Sequence, residues 1–133
     1  MSRIHSKNKK PEEIVRKYFY SCGLRYRKND KRYPGCPDIV LPKYKTVIFV
    51  NGCFWHMHEG NPCFFMPKTR RGFWDTKLNR NQQRDMHNTQ KLVSMGWRVI
   101  VVWECELKPK LREKHLAALV DEIINGVPKI TSL

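Results

Sequence analysis

Cys53, His58 and Cys63 stand at the spacing C-x4-H-x4-C, and Cys105 follows much later in the chain. Three thiolates and one imidazole form a closed tetrahedral ligand set for zinc. Soft sulfur with borderline nitrogen selects Zn2+ over Mg2+. The first three lie in residues 51–73, a stretch of Gly, Pro, Cys, His and aromatics without periodicity. Such a stretch buries too little surface to hold itself, whereas a structural zinc supplies roughly 10 kcal/mol or more of folding free energy. An odd count of five cysteines also argues for metal rather than a closed disulfide framework. Cys22 is read as packing on a helix face, and Cys36 sits in a loop with no role assigned.

Three acids form a second constellation. Asp38 follows Pro37 and begins a strand after a polar loop, where a hard cation such as Mg2+ finds oxygen ligands. Glu12 and Asp85 fall on the apolar sides of two predicted helices. Three inward carboxylates are costly unless paired or metal-bound, and such a cluster suits in-line displacement at a phosphate. Bland readings stand beside these: Glu12 as a favourable charge at a helix N-terminus, Asp85 as a partner of Arg84 or Arg98. His56 has the near-neutral chemistry of a general base, but spacing alone leaves open whether His56 or His58 ligates zinc. Phe54-Trp55 and Phe73-Trp74 are adjacent aromatics in basic surroundings. They suit wedges that unstack base pairs, or ordinary core packing.

These residues need elements to place them. Pro11 opens a helix that runs to Cys22, with Gly23 as its stop. Val15, Tyr18, Phe19 and Cys22 share its apolar face with Glu12, while Glu13, Arg16, Lys17 and Tyr20 face water. Asp38–Leu41 reads as a short strand, Pro42-Lys43 as a turn, and Val47–Val50 as a central strand, apolar on both faces. A helix is predicted over Trp74–Met95, with Leu78, Asp85 and Leu92 on one stripe and Gly96 closing it. Val99–Trp103 reads as a fully buried strand, with Trp97 and Trp103 in the core. A last helix spans Leu111–Ile124, with Leu116, Leu119, Val120 and Ile123 inward and Asn125-Gly126 as its end. The order predicts an α/β protein with a mixed sheet flanked by helices, as a single domain over residues 1–133.

The charge balance narrows the partner. The net charge is +14, from 26 Lys and Arg against 12 Asp and Glu, concentrated in residues 1–33 and 67–98. Such a chain attracts polyanions, and each basic group set on a phosphate releases a counterion. No apolar run is long enough to span a membrane and no secretory signal opens the sequence, so a cytoplasmic location is expected.

Longer motifs carry a resemblance. Pro11-Glu12 at a helix start, Gly23-Leu24-Arg25-Tyr26-Arg27, Pro37-Asp38-Ile39-Val40, Val47-Ile48-Phe49-Val50-Asn51-Gly52-Cys53-Phe54-Trp55-His56, and Gly96-Trp97 through Trp103-Glu104-Cys105 resemble the very-short-patch repair (Vsr) endonucleases over nearly the whole chain. The Gly-Cys-Phe-Trp-His and Trp-Glu-Cys elements are the most specific. The resemblance implies a restriction-endonuclease-like fold of the PD-(D/E)xK superfamily. It also implies a Mg2+-dependent enzyme that nicks double-stranded DNA 5′ to the thymine of a T:G mismatch, starting very-short-patch repair of deaminated 5-methylcytosine. On that likeness Asp38 and the Val50 carbonyl hold Mg2+, His56 is the catalytic histidine, and Glu12 and Asp85 are further acids of the site. Cys53, His58, Cys63 and Cys105 bind structural Zn2+, and Phe54, Trp55 and Trp74 enter the DNA stack. Asn51 stands where some members carry a further histidine, and the looser spacing to Cys63 departs from the family's pattern. The strand ending Phe49-Val50-Asn51 lacks the acid-and-lysine pair of ordinary restriction enzymes, a departure that fits the Vsr branch. A monomer suits a single-strand nick. The competing readings are a restriction- or defence-type nickase of other specificity, and a zinc-stabilised DNA-binding module without catalysis.

Overall fold

A computed structural model describes residues 10–58 and 63–125 of the chain. Helix α1 spans Pro11–Ser21, with Pro11 in its first turn and Glu12 and Glu13 beside its positive end. Its C-terminus closes in a Schellman motif. The Leu24 N–H donates to the Phe19 carbonyl at 3.0 Å and the Gly23 N–H to that of Tyr20 at 3.0 Å, with Gly23 at φ 81°. Strand β1 is the short pair Arg27–Lys28, β2 is Ile39–Leu41, and a 3-10 turn at Pro42–Tyr44 leads into β3, Thr46–Asn51. The long helix α2 covers Arg71–Ser94. A second Schellman closure follows it, the Trp97 N–H reaching the Leu92 carbonyl at 3.0 Å. Then come β4, Arg98–Trp103, a 3-10 turn at Glu104–Leu107, and α3, Arg112–Asn125.

The four strands form one mixed sheet in the order β1-β2-β3-β4. The first two pairings are antiparallel. β3 and β4 are parallel, with Thr46 opposite Arg98 and Asn51 opposite Trp103, and α2 lies in the crossover that a parallel pair requires. Strand alternation divides the core into two layers. Ile39, Leu41, Ile48 and Val102 pack with Val15 and Phe19 of α1 and Leu116, Leu119, Val120 and Ile123 of α3. On the opposite face Val40 and Val47 meet Leu92 of α2, flanked by Phe49, Trp97 and Val99. The sheet is thus sandwiched between helices, as the element order predicts. Gly126 of the expected last stop, and the basic residues before Lys10, lie outside the described residues.

Trp97 packs against the second core layer as expected, half-buried, edge-on to Tyr33 at 5.0 Å and under the Lys45 ammonium at 4.9 Å. Three expectations need correction. β4 is not fully buried: Val101 is 38% exposed, because β4 is an edge strand and α2 covers only part of its outer face. Cys22 is exposed, since α1 ends one residue before it and the Schellman turn rotates it outward. Arg16, expected on the wet face, is buried. Among the described residues no helix is long and apolar enough to cross a membrane.

Candidate active site and metal centre

Asp38 sits immediately before β2, and its carboxylate reaches across to β3. Its Oδ2 accepts a hydrogen bond from the Val50 N–H at 2.7 Å. Burial raises its pKa above the ordinary carboxylate value. The Val50 N–H opposes that rise, the negative charge of Glu12 adds to it, and the charges of Arg16 and His56 work against it. A half-buried carboxylate pushed upward in this way is short of positive charge, which is the condition a bound divalent cation relieves.

Asp38, Val50, Asn51, His56 and Asp85 line one cavity of about 240 Å3, together with Asn88 and Thr89 of α2. Asp85 projects into it from the stripe it shares with buried Leu78 and Leu92. It pairs with neither Arg84 nor Arg98. Its Oδ2 instead meets His56 Nδ1 at 2.5 Å. An ionised carboxylate only accepts, so the Nδ1 proton points at Asp85 and Nε2 is the nitrogen left free. His56 thereby acquires the orientation of a proton acceptor. Glu12 is half-buried on α1 and outside the cavity lining; its charge nevertheless acts on Asp38.

The second constellation converges as the spacing predicts. The ligand atoms of Cys53, His58, Cys63 and Cys105 all lie within 4.8 Å of one another. His58 Nδ1 is 3.1 Å from Cys63 Sγ and 3.5 Å from Cys105 Sγ. A zinc tetrahedron with Zn–S bonds of about 2.3 Å needs ligand separations of roughly 3–4 Å, so the donor set and its spacing fit that ion. Burial pushes the Cys53 thiol up to about 12, with the Cys63 and Cys105 thiols adding to the rise. Cys105 is raised for the same first reason. Cys53 and Cys105 thus resist ionisation until a cation joins them. It is therefore His58, not His56, that stands among the sulfurs, which resolves the ambiguity left by spacing. Trp103 is no core residue; its indole stacks on the His58 imidazole at 3.9 Å with 2° between planes.

Phe54, Trp55 and Trp74 form an aromatic cluster outside both core layers. Ring centroids are 5.1 Å apart for Phe54–Trp55, 5.4 Å for Phe54–Trp74 and 5.7 Å for Trp55–Trp74. Trp55 is 47% exposed and Phe73 46%. Large apolar surfaces left in water beside cationic groups call for a partner. Asn81 of α2 donates to the Trp55 carbonyl at 3.2 Å, fixing this loop to the helix. The same end of α2 offers Lys77, Arg80 and Arg84 along a groove with Phe73.

Sequence reasoning missed four contributors. Arg16 donates from Nη2 to the Asp38 carbonyl at 3.2 Å and to Asn29 Oδ1 at 3.1 Å; only its position four residues after Glu12 hinted at it. Cys36, at φ 50°, and Gly35 line the cavity beside Asp38, and Gly-Cys before Pro-Asp was the available signal. Trp103 announced itself only as a neighbour of Cys105.

A catalytic-looking cavity and a Cys3His cluster on one basic α/β scaffold agree with what the chain is similar to. The family profile described as DNA mismatch endonuclease Vsr matches residues 1–63. The type II nicking enzyme V.NmeAIP of Neisseria meningitidis serogroup A is 52% identical over 128 residues, covering 96% of this chain and 91% of that protein. The type II nicking enzyme V.XorIIP of Xanthomonas oryzae pv. oryzae is 46% identical over 107 residues, 80% and 78% of the two chains. The DNA mismatch endonuclease Vsr of Escherichia coli is 42% identical over 108 residues, 78% and 67% of the two. With such identity over most of its length, this chain is a DNA endonuclease of the Vsr family.

Proposed function

We propose that this endonuclease nicks one strand of duplex DNA with a divalent metal at Asp38, on a restriction-endonuclease-like scaffold stabilised by zinc. The observation that carries the reading is the His56–Asp85 pair at 2.5 Å in the same cavity as Asp38. An oriented base next to a half-buried acid suits hydrolysis of a phosphodiester.

Asp38 and the Val50 carbonyl would hold Mg2+, which when bound supplies charge neutralisation at the scissile phosphate. His56 takes a proton from the attacking water at Nε2. Asp85 keeps the ring in the tautomer that leaves Nε2 basic, then offsets the charge the ring gains. Glu12 adds a carboxylate at the margin of the site, and Asn51, buried at the end of β3, presents an amide to the same cavity. Cys53, His58, Cys63 and Cys105 hold the zinc that ties the loop of residues 52–58 to the end of β4. The basic groove of α2 takes backbone phosphates, whose contacts position the duplex without reading sequence.

Which duplex is cut is the narrower question. Two of the relatives above bear the name nicking enzyme, and one bears the name mismatch endonuclease. Nicking is therefore the broader proposal, and selectivity for the thymine strand of a T:G pair is its specific form. The cluster of Phe54, Trp55 and Trp74 supports the specific form, because inserting rings between base pairs is cheapest where pairing is already weak.

Labelled duplexes differing only in one T:G or T:A pair, set in several flanking contexts, test both levels at once. Incubation with and without Mg2+, beside Asp38→Ala, is expected to give a metal-dependent nick 5′ to the mismatched thymine that the variant lacks. Equal cutting of both duplexes retains the nickase and removes the mismatch selectivity. Binding without cutting in every context refutes the catalytic reading and leaves a zinc-stabilised DNA-binding module.

A further inference from the structure

Arg16 is 9% exposed. A guanidinium withdrawn from water normally faces a carboxylate or a full set of acceptors. This one forms no ion pair among the described residues, and its Nε is buried without a hydrogen-bond partner. Both bonds it does make come from Nη2 and go to neutral oxygens, Asn29 Oδ1 and the Asp38 carbonyl. The Asn29 N–H donates to that same carbonyl at 3.3 Å, and Asn29 holds the left-handed conformation at φ 49° to do so. Arg16, Asn29 and Asp38 therefore close a triangle linking α1, the end of β1 and the start of β2.

We propose that Arg16 is the positioning residue for Asp38. The carboxylate of Asp38 is fixed at one end by the Val50 N–H, at 2.7 Å. The main chain of Asp38 is fixed at the other end by Arg16 and Asn29. Pinned at both ends, the residue presents its second carboxylate oxygen to the cavity in one orientation. Packing alone does not account for Arg16, since an apolar side chain of similar length would fill the same buried space without an orphaned donor. A buried, under-satisfied cation beside a functional carboxylate is the kind of local cost that persists where it serves the site. Glu12 lies one helical turn before Arg16, so two opposite charges on one helix flank Asp38.

This role rests on the proposed metal-dependent cleavage at Asp38, and the test separates the two. The full zinc-loaded chain is compared with Arg16→Met, Arg16→Lys and Asn29→Ala. Steady-state nicking is resolved into kcat and KM, and Mn2+ binding is followed by electron paramagnetic resonance, with Asp38→Ala defining the signal that belongs to Asp38. Arg16→Met is expected to lower kcat about 100-fold with KM for DNA nearly unchanged, and to weaken Mn2+ binding about tenfold. Arg16→Lys recovers part of both losses. Asn29→Ala keeps the cation and moves both readouts in the same direction by less, which preserves the test if Arg16→Met does not fold. A folded Arg16→Met with the parent kcat and Mn2+ affinity, or with its loss confined to KM, overturns the positioning role and leaves the nuclease reading intact. A parent protein that neither binds Mn2+ at Asp38 nor nicks any duplex overturns the nuclease reading, and the role of Arg16 with it.

Discussion

Replacing Asp85 by Asn keeps the shape of the His56 partner and removes its charge. The amide oxygen can still accept from Nδ1, so the imidazole keeps its place and tautomer. What disappears is attraction between the carboxylate and the imidazolium that forms as His56 takes a proton. The two atoms are 2.5 Å apart, and the side chains are 30% and 37% exposed. That exposure places the pair near water rather than in a dry interior, so an effective dielectric constant of about 40–80 applies, giving about 1.7–3.3 kcal/mol. The loss in the chemical step is then roughly 20- to 300-fold. Single-turnover nicking of the best-cut duplex at saturating Mg2+ measures it directly. His56→Ala should lose at least as much, and the double variant should be no worse than His56→Ala, because the pair acts as a unit. Asp85→Asn within threefold of the parent would falsify the charge argument. A double variant that loses the product of the two single effects would show that Asp85 acts elsewhere.

Three further outcomes follow from other parts of the molecule. The parent should carry one zinc per chain by metal analysis, and Cys105→Ser should lower its zinc content and thermal stability, since zinc binding is worth roughly 10 kcal/mol or more in such sites. With zinc retained and no Mg2+ added, Asp38→Asn should melt higher than the parent at neutral pH. The pKa of Asp38 is raised in the fold, so its contribution is fully present below the unfolded value and lost as pH rises through the folded one, leaving the ionised group a net cost at neutrality. An equal or lower melting temperature counts against that reading. Trp55→Ala should cost about 1–3 kcal/mol in binding to the preferred duplex with little change in melting temperature, measured by fluorescence titration; unchanged affinity would place Trp55 outside the DNA interface.

The parts of the fold legible in the sequence were those set by one element's own period. Leu78, Asp85 and Leu92 at seven-residue intervals gave both the buried stripe of α2 and the acid within it. Pro11, Gly23 and Gly96 marked helix ends because their backbone chemistry is local. The apolar run of β3 announced a central strand. What depended on neighbours stayed hidden. The run at β4 looks much like that of β3, yet β4 has one strand partner and β3 has two, so their exposure differs for a reason no single strand contains. Arg16 read as solvent-facing because helical spacing cannot foresee the Asn29 loop closing over it. The choice between His56 and His58 as the zinc ligand needed the arrival of Cys105, brought by the far end of β4.

The proposed role of His56 gives a reason for a small enzyme to carry a Cys3His cluster of zinc-binding type beside it. Cys53 and His58 enclose Phe54, Trp55, His56 and Met57 in a loop that lacks regular secondary structure. Trp55 faces outward, Phe54 is half-buried against it, His56 lines the cavity, and Met57 is buried. A loop with so many directions to satisfy cannot be held by a repeating hydrogen-bond pattern, and its core is too small to hold it by burial. A zinc held by Cys53 and His58 would shorten the free chain to four residues, and the Trp103 ring stacks on the plane of the His58 imidazole. The Asn81 bond to the Trp55 carbonyl then sets the loop against α2, the helix that also carries Asp85. A histidine acting as base beside Asp38 would have to hold its distance to that carboxylate within fractions of an ångström to be effective. In this chain β3 leads directly from Val50 to Cys53, so one continuous segment joins the Asp38 side of the cavity, the zinc clamp and His56. Disturbing the zinc should therefore impair cleavage more than it impairs DNA binding, because the orientation of His56 depends wholly on that loop, whereas binding loses the contribution of Trp55 and keeps the cations of the α2 groove.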